Sequence, residues 1–230
     1  MATEPVIRTE SLGLHFDDGN FKALDGLDLQ VQEGEFLAIT GPSGCGKSSL
    51  LNLIGLLDVP TSGEIYFRGQ PYASMDDQSL FRRRHIGFVF QSFHLLPTLS
   101  VFDNVVVPTI SSPWPARSHR DQALSLLARL GLEAKADQSP ARLSGGERQR
   151  AAIARALMNH PDIILADEPT GSLDSANADQ VLDLLQDLRE ERGLTVIMVT
   201  HDADVSARAS CVVRLRDGKL EQTGAPRELV

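Results

Sequence analysis

The residues best suited to chemistry begin with Gly41-Pro42-Ser43-Gly44-Cys45-Gly46-Lys47-Ser48, which fits G-x-x-x-x-G-K-S and is followed by Ser49. Glycines let successive backbone N–H groups turn inward onto phosphate oxygens, and a helix starting there adds positive potential. Lys47 would bring charge to β and γ phosphates, and the Ser48 hydroxyl is a ligand suited to Mg²⁺. Residues 41–49 are thus expected to hold a nucleotide. A second group, Ile163-Ile164-Leu165-Ala166-Asp167-Glu168, reads as a buried strand ending in two carboxylates. Beside the phosphate loop, Asp167 would serve the metal and Glu168 the attacking water. Two acids at a strand end mean little alone; paired with the loop they become a specific expectation.

A third segment, Leu143-Ser144-Gly145-Gly146-Glu147, precedes a helical run. Ser144 with Glu147 three residues on fits a capping box, so an ordinary helix start explains part of it. Two glycines are costly in a first turn, and are expected where backbone approaches an anion closely. Gln91 and His201 each follow an apolar run, Ser172-Leu173-Asp174 follows the carboxylates, and Phe16 would serve a core as readily as a ligand. None of these is informative by itself.

The elements that must position these residues are legible from periodicity. Residues 6–14, 27–31 and Phe36–Thr40 read as strands, with turns at Asp18-Gly19 and Glu33-Gly34. Ile86–Phe90, 163–166, Thr195–Val199 and 211–215 read the same way. From Val101 to His160 the pattern is helical: Leu124, Leu127 and Leu130 form one stripe, and residues 151–158 another. A loop stiffened by two prolines, Pro113-Trp114-Pro115, interrupts this region ahead of both stripes. Between the carboxylates and Thr195, a helix carries Val181, Leu184, Leu185 and Leu188 on one face, with Asp179, Asp183 and Asp187 on a solvated opposite face. Alternating strands and helices imply a parallel sheet interrupted by a helical lobe.

The whole is a chain of 230 residues, 42% apolar, which suits one globular core. A net charge of −9 disfavours nucleic acid as a partner, since phosphate backbones would be repelled. Cys45 and Cys211 are too few for a disulfide framework, pointing to a reducing compartment. No apolar run is long enough to span a membrane, and Met-Ala-Thr-Glu-Pro does not open like a signal peptide. Six histidines show no clustering that suggests a metal site. Positive potential in the loop is expected to make Cys45 the more reactive thiol, with Cys211 buried in its strand.

Taken in order, the phosphate loop, Gln91, Leu143–Glu147, Asp167-Glu168, Ser172–Asp174 and His201 resemble the full motif set of ABC ATPases over nearly the whole chain. Residues 88–97 and 166–174 are similar to the MacB/LolD branch of macrolide exporters, lipoprotein-releasing complexes and antimicrobial-peptide transporters. Two departures stand out: Glu147 replaces the usual Gln, and Phe16 the usual Tyr.

The resemblance implies an α/β P-loop NTPase (RecA-like) fold, with a parallel-sheet core, an N-terminal antiparallel β part and an inserted α-helical subdomain. One domain would cover 1–230, with core residues 1–91 and 161–230 and helical subdomain 92–160. ATP and Mg²⁺ are the implied cofactors. Glu168, His201, Lys47 and Gln91 would be catalytic, and Ser48, Gln91 and Asp167 would serve the metal. Phe16, Gly41, Pro42, Ser43, Gly44, Cys45, Gly46, Lys47, Ser48, Ser49, Ser144, Gly145, Gly146 and Asp174 would contact nucleotide, Ser144, Gly145 and Gly146 from a second copy. Implied partners are that second copy, in an ATP-sandwich homodimer, and an integral membrane permease, with the chain peripheral on the cytosolic face of the inner membrane. DNA-repair ABC ATPases carry long coiled-coil or zinc insertions, for which there is no room, and a phosphate-loop kinase has no use for Leu143–Glu147.

Overall fold

The computed structural model describes residues 4–16, 21–110 and 116–221, so the Asp18-Gly19 turn and the Pro113-Trp114-Pro115 loop lie outside the described residues. In chain order the elements begin β1 (Ile7–Phe16), β2 (Phe21–Val31), β3 (Phe36–Thr40), α1 (Lys47–Ile54), β4 (Ser62–Phe67) and β5 (Gln70–Pro71). Next come α2 (Gln78–His85), β6 (Ile86–Phe90), α3 (Val101–Val106), α4 (Ala116–Arg129) and α5 (Gly145–Ala156). The chain continues through β7 (Ile163–Asp167), α6 (Ser175–Arg192), β8 (Thr195–Val199), α7 (Ala203–Ser206), β9 (Cys211–Arg216) and β10 (Lys219–Glu221).

Two sheets result. One is antiparallel, in the order β2-β1-β4-β5; the other runs β10-β9-β3-β8-β7-β6, with only β10 antiparallel to its neighbour. Both match the expected core and N-terminal β part.

Strand side chains alternate between faces, and here each face feeds a different core. Phe36, Ala38, Ile164, Ala166, Val196 and Met198 pack with the helical lobe, α3, α4 and α5, and with α6. Leu37, Ile39, Ile163, Leu165, Ile197 and Val199 pack on the other side, with α1 and the antiparallel sheet. Near-continuous apolar strands are what a sheet covered on both faces requires.

The expected stripes are present but wider. On α4, Leu127 and Leu130 are buried with Ala123 and Leu126, while Leu124 is half-buried. On α6, Leu182 joins Val181, Leu185 and Leu188 in the core, and Leu184 is half-buried. Asp179 and Asp183 are exposed beside Arg208, which pairs with both, and Asp187 is exposed as well.

Candidate active site

β3 delivers the chain into the phosphate loop at a point where only glycine fits. Gly41 has φ 147°, and a Cβ there would sit 2.1 Å from the Leu215 carbonyl oxygen of β9. Gly46, with φ 104°, is as tightly held: its Cβ would lie 2.2 Å from the Ala23 carbonyl oxygen of β2. Gly46 is also the N-cap of α1, and makes no side-chain cap hydrogen bond. The first-turn N–H groups of α1 therefore rely on backbone position and an outside acceptor, the usual basis of anion binding.

Lys47 is 8% exposed, and its Nζ donates to the carbonyl oxygens of Gly41 at 2.9 Å and Pro42 at 2.8 Å. The Cys45 side chain turns inward, with its Sγ 3.9 Å from Lys47 Nζ: it is 5% exposed and packed in the core shared with α1. Cys211 is only half-buried. The expected order of thiol accessibility is thus reversed, because burial of Cys45 overrides any advantage of local potential.

Alternation along β7 explains where the carboxylates go. Ile163 and Leu165 face α1, so Asp167, two residues on, faces it too. The Ser48 hydroxyl, at the start of α1, donates to Asp167 Oδ1 at 3.3 Å. Burial raises the Asp167 pKa above the ordinary carboxylate range, the Ser48 hydrogen bond partly offsets this, and the Glu168 charge adds to it. A half-buried carboxylate whose ionisation is resisted, beside a hydroxyl oxygen, is a hard donor set of the kind Mg²⁺ prefers.

Simple alternation would carry Glu168 to the opposite face. Instead its backbone is left-handed, with φ 46°, a conformation costing about 1–3 kcal/mol for such a residue. Its N–H donates to the Val199 carbonyl at 3.0 Å, and its own carbonyl accepts from Gly171 N–H at 3.1 Å. So held, Glu168 Oε1 lies 2.9 Å from His201 Nδ1. Gln91 approaches from β6: a Cβ on Gly171 would meet Gln91 Nε2 at 2.7 Å and Glu168 Oε2 at 3.3 Å. Ser172 Oγ donates to the Gln91 carbonyl at 3.1 Å.

A cavity of about 580 Å³ gathers most of these groups, with Ser43, Gly44, Gly46, Lys47, Ser48 and Ser49 on one wall and Glu168 and His201 on another. The third wall is aromatic. Phe16 and Phe21 are cross-strand partners in the first hairpin, stacked with centroids 6.2 Å apart, and are 45% and 53% exposed. Phe21 was not anticipated. Its signal was available in principle, since Phe16 and Phe21 flank Asp17-Asp18-Gly19-Asn20, a sequence with the composition of a hairpin connection.

Ser144, Gly145, Gly146 and Asp174 do not line this cavity. They meet one another instead. Asp174 caps α6, accepting from the Asn177 N–H at 2.9 Å, and Asn177 packs so closely on Gly146 that a Cβ there would sit 2.1 Å from its Oδ1. Helix packing therefore accounts for Gly146 without an anion, whereas at Gly145 the nearest atom, Leu173 Cδ2, would stand 3.2 Å from a Cβ. Ser144 is the cap anticipated: its Oγ accepts from Glu147 N–H at 3.2 Å, and Glu147 Oε2 accepts from Ser144 N–H at 2.8 Å.

That second hydrogen bond, with Lys135 nearby, holds the Glu147 pKa below the ordinary value, against a weaker opposing push from burial. A depressed carboxylate contributes stability fully present above its unfolded pKa and lost as pH falls through its folded value. Glu147→Gln keeps an acceptor oxygen but not the titration. It should retain turnover within about threefold, the range of an ordinary surface change. Unfolding midpoints measured from pH ~7 down to ~3, across the ordinary Glu value of about 4.3, should fall less for the variant. Identical acid profiles would mean that the Glu147 charge does not support the cap.

Comparison with known proteins agrees with this geometry. The family model described as "ABC transporter" matches residues 24–171, from just before the phosphate loop to just past the paired carboxylates. The macrolide export ATP-binding/permease protein MacB of Rhodopseudomonas palustris (strain HaA2) is 52% identical over 198 residues, 85% of this chain. The chain spans only 30% of that relative's length. LolD, the lipoprotein-releasing system ATP-binding protein of Xanthomonas campestris pv. campestris (strain 8004), is 44% identical over 221 residues, covering 94% of this chain and 92% of the relative. Among solved structures, a dimeric ATP-binding cassette, MJ0796, in a post-hydrolysis state bound to ADP and Pi, superposes with a TM-score of 0.86 at 41% identity. It covers 96% of this chain and 99% of its own.

Proposed function

Because this chain belongs to the ABC transporter family, and within it to the branch of the MacB and LolD ATP-binding proteins, we propose that it drives a membrane permease of the efflux or extraction type. The chain is an ABC-type ATPase, and the observation that carries its chemistry is the convergence of Lys47, Ser48, Glu168 and His201 around one cavity, with Asp167 bonded to Ser48 at its edge. Adenine stacks on the Phe16–Phe21 wall. Phosphates occupy the loop formed by Gly41, Pro42, Ser43, Gly44, Cys45, Gly46 and Ser49, where backbone N–H groups and Lys47 stabilise their charge.

Ser48, Asp167 and Gln91 would hold Mg²⁺, which would supply positive charge against that developing on the phosphates. Glu168 orients and polarises the attacking water. A carboxylate is a feeble base, so position carries much of its effect, and the His201 contact together with the left-handed backbone supplies that position. His201 also reaches the γ-phosphate, and Gln91 relays its presence to the lobe formed by residues 92–160.

Ser144, Gly145, Gly146 and Asp174 act on the nucleotide of a second copy, which accounts for their place outside this chain's own cavity. A second cavity, of about 650 Å³, lies where α2, β6 and α5 meet, with Phe88 and Phe90 beside Arg82 and Arg83. Its mixed aromatic and cationic lining supports docking of a permease segment. No described helix is long and apolar enough to cross a membrane, and this chain is placed on the cytosolic face beside the permease.

Co-purification tests the reading. A tagged chain recovered from gently solubilised membranes of its own host should bring an integral membrane protein in near-constant ratio, and hydrolyse ATP with no acceptor present. Recovery with no membrane protein, or phosphate transfer only to an acceptor, would overturn it.

A further inference from the structure

Beyond Gln91 the chain makes a turn that non-glycine residues resist. Phe93 and His94 are consecutive left-handed residues, with φ 61° and 48°. The turn's own hydrogen bonds are Phe93 N–H to the Phe90 carbonyl at 3.1 Å and His94 N–H to the Ser92 carbonyl at 2.6 Å. Both carbonyls that the strained residues turn outward are taken by one side chain from α5. Arg155 Nη2 donates to the Phe93 carbonyl at 2.8 Å, and Nη1 to the His94 carbonyl at 2.5 Å. About two turns earlier on the same helix, the Arg148 guanidinium lies 5.2 Å from the Phe93 ring centroid. The His94 ring rests on Phe90, the last residue of β6, at 4.7 Å.

The arginine is not there for solubility. It is partly buried, and desolvation lowers its pKa. A guanidinium taken from water needs acceptors, and it finds them in two carbonyls presented by an unfavourable backbone conformation. Strain of this kind persists only where the surroundings over-determine it, and it concentrates beside functional groups. Here the strained pair stands two residues after Gln91, whose amide sits over Gly171 next to Glu168.

We propose that Arg155 is a positioning residue for hydrolysis: its two hydrogen bonds lock the Phe93–His94 turn and so hold Gln91 over Gly171 beside Glu168. The inference rests on the role given above to Gln91. It adds a physical tie between the Gln91 turn and α5, the helix whose first turn is Ser144-Gly145-Gly146. Arg155 and His94 also line the cavity assigned to the permease segment, so a segment seated there would press on the lock itself.

The test uses strain as its signature. Arg155→Ala should lower kcat about tenfold, with KM for ATP within about twofold, because the phosphate loop is untouched. Arg155→Lys, which keeps the charge but not the paired donors, should fall between. Glycine adopts positive φ without penalty, so Phe93→Gly with His94→Gly should let the turn hold itself. Added to Arg155→Ala, this pair should restore kcat to within about threefold of the parent. Where Arg155→Ala fails to fold, the same rescue is read in Arg155→Lys. An undiminished kcat in Arg155→Ala, or a loss that the glycines do not recover, would overturn the proposal. Hydrogen exchange at the Phe93 and His94 amides, faster in Arg155→Ala, reads the lock directly. Full turnover in Gln91→Ala, despite that faster exchange, would instead sink the role of Gln91.

Discussion

Glu168→Gln is expected to lower ATP turnover by roughly 10²–10⁴-fold while leaving nucleotide binding in place. The substitution preserves size and hydrogen-bonding capacity, and the backbone bonds to Val199 and Gly171 that fix the residue do not involve its side chain. What disappears is the negative charge, which faces the water and lies 2.9 Å from His201 Nδ1. Lys47 and the loop amides remain, so ATP still binds. Hydrolysis slower than assembly should also make an ATP-bound dimer accumulate, visible as a doubling of mass by size-exclusion chromatography with light scattering. Steady-state turnover equal to the parent's would remove Glu168 from the chemistry.

Inactivity of two different variants, reversed on mixing, is the second large effect expected. Lys47→Ala removes the ammonium of a residue that is only 8% exposed, and with it the charge meant for the phosphates. Ser144→Arg places a bulky cation on the exposed first turn of α5, where a second copy's γ-phosphate would sit. Each homodimer should therefore be at least ~10²-fold slower than the parent, the scale of losing one main electrostatic contact. A mixed dimer, however, keeps one site whose Lys47 and Ser144 are both intact. With random pairing, half the dimers are mixed and each has one good site of two, so about a quarter of parental turnover should return. Mixed dimers confirmed by native mass spectrometry but still inactive would argue that the sites are not shared.

Much of this arrangement could be read from the residues alone, and the gaps have physical causes. Phe36–Thr40, Ile86–Phe90 and Thr195–Val199 were bounded correctly, because buried parallel strands leave uninterrupted apolar runs. α2 left no such mark: none of its residues is buried, and it is anchored by Phe81 against Phe67 and Tyr72 rather than by a stripe. The phosphate loop and the carboxylate pair were found because strand, motif and helix agree. Phe21 was missed because an exposed aromatic at a strand end looks ordinary until its cross-strand partner is known. The inward turn of Cys45 and the left-handed backbone of Glu168 depend on neighbours distant in sequence, Gly218 and Val199 among them, which no local pattern encodes. The glycines after Ser144 carried a mixed signal, since packing on Asn177 and close approach by a ligand call for the same residue.

The double-faced central sheet has a consequence for how such a protein can diverge. Leu165 and Ala166 are neighbours in the chain, yet one belongs to the nucleotide side and the other to the helical side. The sheet thus works as a bulkhead between two separately packed compartments, and repacking in one need not disturb the other. Lineages can therefore reshape the lobe that meets a new partner while the hydrolytic side stays under its own selection. Substitutions at Ala166, Val196 or Met198 should covary with α5 and α6, and those at Leu165, Ile197 or Val199 with α1.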